Sequence, residues 1–352
     1  MWSRNALTER LNLEWPIFQA PMGDFTTPAL AAAVANAGGL GGLGMFSYSA
    51  EEAERRIAGF RQQSGGSLNV NYLLFETPPD LSGLGQEMRQ GLAPLYHEKG
   101  LGPVPEPSPM VGEVGPDHLA VLVAAKPEVI SFHFGLPDAG TVRTLKDAGC
   151  FVICSATTVA EARALETAGV DGVIAQGAEA GGHRGTFTGV DISQQPGLLS
   201  LLPQVVDAVS VPVIAAGGIA DGRGIAAAMM LGASAVQLGT AFLRCEEANV
   251  SASYRDALAA SGDSHTFVTA MASGKTARVI RNRLIDEVTA LGAEPLPFPA
   301  QMGLTRPLGA AGDGDWMVVF AGQSAALGRN LPAGDLVDAL AAETTDRFSA
   351  FT

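Results

Sequence analysis

Cysteine and positive charge are both scarce in this sequence of 352 residues. Its three cysteines, Cys150, Cys154 and Cys245, form an odd and sparse set that suits core thiols in a reducing compartment, not a disulfide framework. Lysine and arginine total 22 against 36 aspartates and glutamates, which gives a formal net charge of −14. Because no basic cluster is present to neutralise a phosphate backbone, the composition argues against a nucleic-acid partner.

Long apolar runs are also missing. The most apolar segment, GIAAAMMLGASAVQLG at 224–239, is interrupted by glycine, serine and glutamine and is shorter than the roughly 18 apolar residues that a membrane span needs. The first residues, MWSRNALTERLNLEW, contain neither the apolar region nor the small-residue cleavage site of a secretory signal. We therefore expect a soluble cytoplasmic protein with no membrane partner.

Short runs rich in valine and isoleucine are abundant, and an alanine-rich stretch of helical length follows most of them. This alternation is typical of βα units. Eight strands with helical crossovers in about 240 residues predict an α/β fold of the (β/α)8 TIM barrel type, with an open doubly wound sheet as the alternative. The predicted strands are residues 16–21, 40–44, 68–75, 128–134, 150–156, 172–177, 211–218 and 234–240.

The pattern changes after residue 244. Residues 253–262 and 273–292 predict helices, and a proline-broken connector, EPLPFPAQMGLTRPLG, follows them. We expect a barrel built from residues 1–244 and about 318–352, with residues from about 245 to 317 forming a small helical subdomain on the substrate side. The basic residues of this subdomain are expected on a solvated helix face, with arginine tying the subdomain to the barrel; they are Lys275, Arg278, Arg281 and Arg283.

Metal and dinucleotide signatures are weak. No His-x-His follows the first predicted strand and acidic ligands are missing from the strand ends, so no metal site is predicted. The segment GGLGGLG has the Gly39-x-Gly41-x-x-Gly44 spacing of a dinucleotide-binding loop. It follows a predicted helix where that loop requires a strand, which favours close helix–strand packing over nucleotide binding.

Glycine-containing turns end the seventh and eighth predicted strands. IAAGGIADGRG places Gly217 and Gly218 between a strand and a helix, and QLGTAF places Gly239 and Thr240 after the next strand. Barrels bind phosphate at these two loops, where backbone N–H groups and the positive end of a helix dipole are accessible. We therefore predict a phosphate site; the alternative is two tight turns that need glycine for geometry alone.

Polar side chains occupy the carboxyl ends of several predicted strands, the face at which barrel active sites form. An amide within an apolar strand needs a hydrogen-bonding partner. Neutral amides at one mouth suit a planar ligand with carbonyl and N–H edges, such as a flavin ring. The residues concerned are Gln19, Met22, Asn69, Asn71, His133, Gln176 and Gln237.

Five motifs, in their order and separation, resemble the nitronate monooxygenases. They are QAPMG (19–23), NVNYLLF (69–75), GAEAGGHRG (177–185), IAAGGIADGRG (214–224) and QLGTAFL (237–243). The resemblance covers essentially the whole chain, and EAGGHRG is its most specific part. It implies a barrel that binds FMN non-covalently and oxidises alkyl nitronates, such as propionate 3-nitronate, with O2 to a carbonyl compound and nitrite.

The resemblance also implies roles for individual residues. His183 would face the substrate beside the flavin as the catalytic residue. Near the substrate, where tyrosines and a lysine are expected in the family, this chain offers Phe298 and Arg306, which leaves substrate preference open. FMN would contact Pro21, Met22, Gly23, Asn69, Asn71, Gln176, Gly181, Gly182, Gly217, Gly218, Gln237, Leu238, Gly239 and Thr240, with Gly322, Gln323 and Ser324 as further candidates.

The chemistry of imidazole fits the catalytic role that the resemblance implies for His183. Imidazole has an ordinary pKa near neutrality, so His183 could attract a nitronate when protonated or take a proton from a neutral nitroalkane when neutral. His133 is either a second substrate contact or a histidine satisfied at the barrel rim. Arg184 either attracts the anionic substrate or is solvated and pairs with Glu179.

The motifs leave two other functions open. The same flavin barrel could serve an NAD(P)H-dependent quinone or enoyl-thioester reductase, since a Gly-Gly-His loop is shared with relatives of that kind, although the arginine after the histidine favours nitronate oxidation. A non-catalytic phosphate or nucleotide sensor is the alternative outside the enzymes. The expected partners are a small nitronate and O2, and the expected assembly is a monomer or homodimer.

Overall fold

Runs of small and β-branched residues form the central sheet of the computed structural model, which describes residues 2–78, 80–81, 83–311 and 314–350. Within those ranges the sheet has eight parallel strands, and each lies inside a strand predicted from the sequence. The strands are β1 (Ile17–Gln19), β2 (Gly41–Gly44), β3 (Leu68–Leu73), β4 (Val129–His133), β5 (Phe151–Ala156), β6 (Gly172–Gln176), β7 (Val213–Ala216) and β8 (Ala235–Leu238).

The sheet closes on itself. Strand β1 pairs with β8, placing Ile17 opposite Val236, and a parallel bridge joins Phe18 to Leu40 directly before β2. The TIM-barrel prediction is therefore confirmed, and the open doubly wound alternative is wrong. An apolar cluster fills the interior; it includes Leu7, Leu11, Phe18, Leu40, Val129, Ile153, Ile174 and Ile214.

Helices cover the outside of the barrel, and their first turns are fixed by side-chain caps such as Thr27, Thr158 and Asp221. The last helix packs between the helices that follow β1 and β7. The helices are Ala6–Arg10, Pro28–Asn36, Ala50–Arg61, Gln86–Glu98, Pro116–Ala125, Ala139–Asp147, Val159–Thr167, Leu198–Val206, Gly222–Met230 and Ala333–Ser349, with short 3-10 turns at Gly23–Phe25, Ile192–Gln194, Thr240–Phe242, Gly314–Trp316 and Ala325–Leu327.

Glycines in β2 allow close approach of backbone to backbone. A Cβ atom at Gly41 would lie 2.2 Å from the carbonyl oxygen of Ala31, and one at Gly42 would lie 2.5 Å from that of Gln19. Because these distances are far below van der Waals contact, the helix Pro28–Asn36 and strand β1 can pack here only against glycine. The packing interpretation of GGLGGLG is confirmed, and the dinucleotide alternative is wrong.

The segment after residue 244 contains the helices Ala252–Ala259, Arg283–Ala290 and Ala300–Ala310, and also two antiparallel strands, Thr266–Thr269 and Ala277–Ile280. The helix predicted over residues 273–292 is therefore wrong for its first half. Strand Ala277–Ile280 pairs on its other side with residues 182–183, and this distant partner supplies the hydrogen bonds that a local helix would otherwise supply.

A second apolar cluster lies beside the barrel. It joins Met88 and Leu92 of the third βα connection to Leu284 and Leu304, and the hydroxyl of Tyr96 donates to the carbonyl oxygen of Leu304 at 2.7 Å. The predicted subdomain thus shares its core with residues near 81–104, and its boundaries at 245 and 317 stay a prediction. Residues 1, 79, 82, 351 and 352 of the predicted barrel unit, and 312–313 of the subdomain, lie outside the described residues.

Two further short strands, Phe75–Glu76 and Val111–Gly112, pair with each other and join the two ends of the segment that contains the helix Gln86–Glu98. Across the described part of the chain, none of the helices has both the length and the apolar character required to cross a bilayer.

Candidate active site

A cavity of about 530 Å³ opens at the carboxyl ends of the barrel strands, within the range that small-molecule sites occupy. Most residues predicted to bind ligand line it, because the carboxyl ends of parallel barrel strands meet at one mouth. The predicted residues that line it are Pro21, Met22, Gly23, Asn71, His133, Gln176, Gly181, Gly182, His183, Gly217, Gly218, Gln237, Gly239, Thr240, Phe298, Arg306, Gly322 and Ser324.

Three predicted flavin residues lie away from the cavity. Leu238 is buried in the core between the barrel and its helices, and the side chain of Gln323 is exposed while its backbone N–H donates to the carbonyl oxygen of Glu179 at 3.0 Å. Asn69 is fully buried, and both polar atoms of its amide are without a partner among the described residues. These three residues are not among those that line the cavity, and their contact with FMN stays a prediction.

Glycines and hydroxyls form the end of the cavity at β7 and β8. The backbone of Gly217 and Gly218 has φ values of +112° and +70°, which glycine adopts without strain. The N–H of Gly322 donates to Thr240 Oγ1 at 2.9 Å, and Ser324 Oγ donates to the carbonyl oxygen of Gly218 at 2.6 Å. Residues 321–324, with the sequence AGQS, therefore join the glycine turns after β7 and β8 into one cradle.

One part of the phosphate prediction needs correction. The side chain of Asp221 accepts hydrogen bonds from the backbone N–H groups of Arg223 and Gly224 at 2.9 and 3.2 Å. The first turn of the helix Gly222–Met230 is thus occupied by its own cap and is not open to a ligand. The 3-10 turn Thr240–Phe242 has no side-chain cap, so the β8 turn is the more accessible of the two.

The ring of His183 packs among aromatic side chains and is partly exposed to the cavity, although two glycines precede it in the sequence. Its centroid lies 4.9 Å from that of Phe298, 5.2 Å from that of Phe320 and 6.0 Å from that of Phe134. Burial, as the largest cause, and the nearby His133 and Lys275 together lower the pKa of His183 to about 3. His183 is therefore a neutral base at ordinary pH, and the protonated form considered from the sequence is disfavoured.

A serine that the sequence analysis missed orients this imidazole. His183 Nε2 lies 2.8 Å from Ser273 Oγ, and the hydroxyl of Ser273 donates to the carbonyl oxygen of Lys275 at 3.1 Å. The single hydroxyl proton can be directed either at Lys275 or at Nε2, and the tautomer of the imidazole sets which of the two occurs. We assign it to Lys275, so that Nε2 carries a proton and donates it to Ser273. This assignment leaves the lone pair on Nδ1 of His183.

The backbone of His183 is held from two other strands. Its carbonyl oxygen accepts from Gln176 Nε2 at 3.1 Å and from His133 Nε2 at 3.2 Å, and the other end of Gln176 accepts from the N–H of Gly185 at 2.8 Å. His133 Nδ1 lies 3.0 Å from Ser155 Oγ, and burial lowers the pKa of His133 to about 4. With both ring nitrogens engaged, His133 supports the loop, and its substrate contact stays a prediction.

Arg184 is fully buried and matches neither alternative considered from the sequence. Its guanidinium donates to the carbonyl oxygens of Gly177 and Gln176 at 2.6 and 2.8 Å and to Gln195 Oε1 at 2.8 Å. Side chains alternate between faces in extended backbone, so Arg184 points away from the cavity that His183 enters. Arg184 therefore stabilises the loop from the face that is directed away from the cavity.

Arg281 and Arg283 are exposed, and Arg283 begins the helix Arg283–Ala290, whereas Lys275 and Arg278 do not lie on a solvated helix face. Arg278 is buried and donates to the carbonyl oxygen of Ala178 at 3.1 and 2.9 Å. Lys275 Nζ lies 4.4 Å from the ring centroid of Phe134, and burial lowers its pKa. A cation that the sequence placed at the surface thus stands close to the histidines.

The substrate side of the cavity combines an aromatic wall with a charged rim. Phe298 packs against Phe75 and Phe134 at 4.9 and 5.6 Å between centroids. Arg306 is exposed at the rim and lies 3.3 Å from Asp24 Oδ2. Lining residues that the sequence analysis did not identify include Asp24, Phe46, Ser131, Ser155, Tyr254, Met302, Thr305 and Phe320; their motifs contain no local signal for a site.

Comparisons with known proteins give the same assignment. The nitronate monooxygenase family model matches residues 4–343. A nitronate monooxygenase of Paraburkholderia phytofirmans is 41% identical over 351 residues, covering 97% of this chain and 95% of that protein. The structure of a nitroalkane oxidase from Streptomyces ansochromogenes superposes with a TM-score of 0.90 at 40% identity and covers 99% of this chain and 100% of that one.

A more distant structure, FabK from Thermotoga maritima, has a TM-score of 0.77 at 29% identity and covers 99% of this chain and 98% of that one. The family match spans nearly all of the chain, and the nitroalkane oxidase is the nearer of these two structures in both sequence and shape. The family resemblance stated from the motifs is confirmed: the chain belongs to the nitronate monooxygenase family.

Proposed function

We propose that this protein oxidises alkyl nitronates, such as propionate 3-nitronate, with O2 to a carbonyl compound and nitrite, using bound FMN. The observation that supports this most directly is the neutral imidazole of His183, oriented by Ser273 at the wall of a cavity that glycines line. Family membership supports the reaction class, and the described cavity supports a small organic substrate.

The residues of the cavity fit FMN. Gln237 lines the cavity with a buried Oε1 that has no hydrogen-bond partner among the described residues, as expected of a group that awaits a ligand. A Cβ atom at Gly239 would meet only Met22 and Ala20, at 3.5 and 3.6 Å. We infer that Gly217, Gly218, Gly239 and Thr240 hold the phosphate and that Met22, Asn71 and Gln237 face the ring.

Bound FMN would supply the electron acceptor that passes reducing equivalents to O2. The task of His183 is then to take a proton from the carbon of a neutral nitroalkane, which its free Nδ1 lone pair allows. Ser273 keeps the proton on Nε2 and so leaves the lone pair of Nδ1 available to the substrate. Phe298, Phe134 and Phe320 pack around the imidazole, and a preformed nitronate would need no proton transfer to this base.

The test is anaerobic mixing of the flavin-loaded protein with ethyl nitronate, NADH or NADPH, followed by nitrite measurement under air. We expect rapid bleaching of the flavin absorption by the nitronate and nitrite release on turnover. Bleaching by a nicotinamide alone, without nitronate turnover, would overturn the proposal in favour of an NAD(P)H-dependent quinone or enoyl-thioester reductase. A purified protein with no affinity for FMN would point to the non-catalytic sensor.

We further propose that the enzyme works in the cytoplasm, as a monomer or homodimer, and that residues of about 245–317 form its substrate-side unit. All three cysteines are buried and unpaired, which suits a reducing compartment. Phe298 and Arg306, both from that unit, line the cavity. Light scattering on the purified protein measures the assembly directly.

A further inference from the structure

The carboxylate of Glu161 is fully buried and lies outside the cavity lining. It belongs to the first turn of the helix Val159–Thr167, after strand β5. One oxygen, Oε2, accepts from the backbone N–H and the hydroxyl of Thr157, both at 2.7 Å. The other oxygen turns toward the loop that follows His183.

That second oxygen, Oε1, accepts four hydrogen bonds from the loop that follows His183. It accepts from the hydroxyls of Thr186 and Thr188 at 2.6 and 2.8 Å and from the backbone N–H groups of Phe187 and Thr188 at 3.0 and 3.3 Å. One carboxylate thus ties residues 186–188 to the end of β5. His183, Arg184 and Gly185 come immediately before this anchored segment.

Only a carboxylate can accept hydrogen bonds from the donors at both Oε1 and Oε2. A hydroxyl can turn to accept a hydrogen bond, but a backbone N–H can only donate, and each oxygen of Glu161 faces at least one backbone N–H. An amide has one acceptor oxygen and one NH2 group, so glutamine must place NH2 against an N–H in either orientation. Burial raises the pKa of Glu161, but the hydrogen bonds from Thr186 and Thr157 outweigh it and the pKa is lowered.

The anchored segment belongs to the same loop as the proposed base. Upstream of it, Gly185 binds Gln176, and the N–H of Arg184 donates to the carbonyl oxygen of Thr276 at 2.9 Å. These contacts hold one end of the loop, and Glu161 holds the other. Its negative charge also lies close enough to act on Arg184 and Lys275, two of the cations packed around the loop.

We propose that Glu161 is a positioning residue, whose buried carboxylate fixes the 184–188 loop and thereby the placement of His183 for proton abstraction. The inference rests on the proposed function for its catalytic part. It predicts that loss of the carboxylate harms the reaction that needs the base, proton removal from a neutral nitroalkane, more than oxidation of a preformed nitronate.

The experiment compares Glu161→Gln with Glu166→Gln in the flavin-loaded protein. Glu166 is a matched control because it lies on the same helix and accepts from the N–H and hydroxyl of Ser210, both outside the cavity lining, at 2.6 and 2.5 Å. The first readout is amide hydrogen exchange of residues 184–188. The second is the ratio of kcat/KM for nitroethane to kcat/KM for ethyl nitronate, which does not depend on the folded fraction.

For Glu161→Gln we expect faster exchange at Phe187 and Thr188 and a fall of about tenfold or more in the ratio, since small displacements of a catalytic group cost rate steeply. Glu166→Gln should leave both unchanged. If Glu161→Gln does not fold, the double variant Thr186→Val with Thr188→Val replaces it. This variant removes the two hydroxyl donors but leaves the backbone N–H donors that pair with the carboxylate. The same readouts apply.

Two results would overturn the inference. Unchanged exchange at residues 187–188 would mean that the carboxylate does not anchor the loop, and faster exchange with an unchanged ratio would mean that the anchor has only a structural role. Absence of both activities in the unmodified chain would instead reject the proposed function, and the exchange measurement would still decide whether Glu161 anchors the loop.

Discussion

His183 Nε2 lies 2.8 Å from the Oγ of Ser273, a residue 90 positions further along the chain. The contact orients the imidazole, and the serine hydroxyl also lies 3.1 Å from the carbonyl oxygen of Lys275, to which we assign its proton, so that Nδ1 is the free ring nitrogen. Ser273→Ala should lower kcat/KM for nitroethane about fivefold, equal to one hydrogen bond of about 1 kcal/mol. The control is Ser210→Ala, whose hydroxyl binds Glu166 outside the cavity lining; an equal loss in both variants would contradict the role of Ser273.

Replacing His183 should lower the turnover of neutral nitroalkanes more than that of preformed nitronates. His183→Asn should keep FMN, because the glycine cradle at β7 and β8 is untouched, and should lose about 10²- to 10⁴-fold of the turnover of neutral nitroalkanes, the usual contribution of a general base. The loss on preformed nitronate should be smaller. Steady-state nitrite release from nitroethane and from ethyl nitronate measures both, and unchanged rates on both would remove His183 from the mechanism.

The two half-buried cavity histidines, His133 and His183, predict how stability depends on pH. The folded chain holds the pKa of His133 at about 4 and that of His183 at about 3, against an ordinary value of 6.5. Below pH 6.5 the unfolded chain therefore binds protons that the folded chain does not, and stability falls as pH falls toward 4. Each histidine contributes up to about 1.4 kcal/mol per pH unit in this window.

Urea denaturation at pH 7 and pH 5 measures this dependence. His133→Gln should reduce the loss of stability between the two pH values, since the variant has one fewer group to protonate on unfolding. If the free energy of unfolding of His133→Gln falls as much between pH 7 and pH 5 as that of the unmodified chain, His133 is not held neutral in the folded protein. In the same range the activity on nitroethane should not decline from protonation of His183.

Gly239 tests where the cofactor binds. Its φ of −108° is ordinary, and a Cβ atom there would meet no protein atom closer than Met22 Sδ at 3.5 Å. Gly239→Ala should therefore leave the stability of the FMN-free protein unchanged while weakening FMN binding about tenfold or more, equal to about 1.4 kcal/mol. Flavin fluorescence titration gives the affinity, and the open, remote Gly65→Ala is the control. Normal FMN affinity would place the ligand elsewhere.

Arg184 tests the support behind the loop. Arg184→Ala leaves the carbonyl oxygens of Gln176 and Gly177 without the guanidinium that donates to them, and should cost about 3 kcal/mol or more of unfolding free energy. Arg55→Ala, which removes an exposed ion pair with Glu52, should cost less than about 1 kcal/mol. Urea denaturation compares the two, and equal losses would contradict the buried role.

Much of the fold and of the cavity was predictable from the sequence. Each barrel strand is a short apolar run bounded by glycine or a polar turn, and such patterns are local, so all eight strands fall inside their predicted ranges. Parallel strands place their carboxyl ends at one mouth, and most of the polar and glycine residues predicted there line the cavity. The family followed from motifs of adjacent residues, such as EAGGHRG.

The residues that the sequence could not assign depend on distant partners. Residues 277–280 form a strand because residues 182–183 lie beside them, and Arg184 is buried because the loop folds over it. Ser273, Lys275 and Glu161 reach the His183 loop from separate parts of the chain, with no motif that links them to it.

The sequence by itself thus determined the barrel, the family and the cavity mouth, because hydrophobic periodicity and turn residues act over a few positions. Only the tertiary structure decided the protonation state and orientation of His183. Those properties arise from desolvation and from hydrogen bonds to residues far apart in the chain, and neither can be inferred from the order of the residues alone.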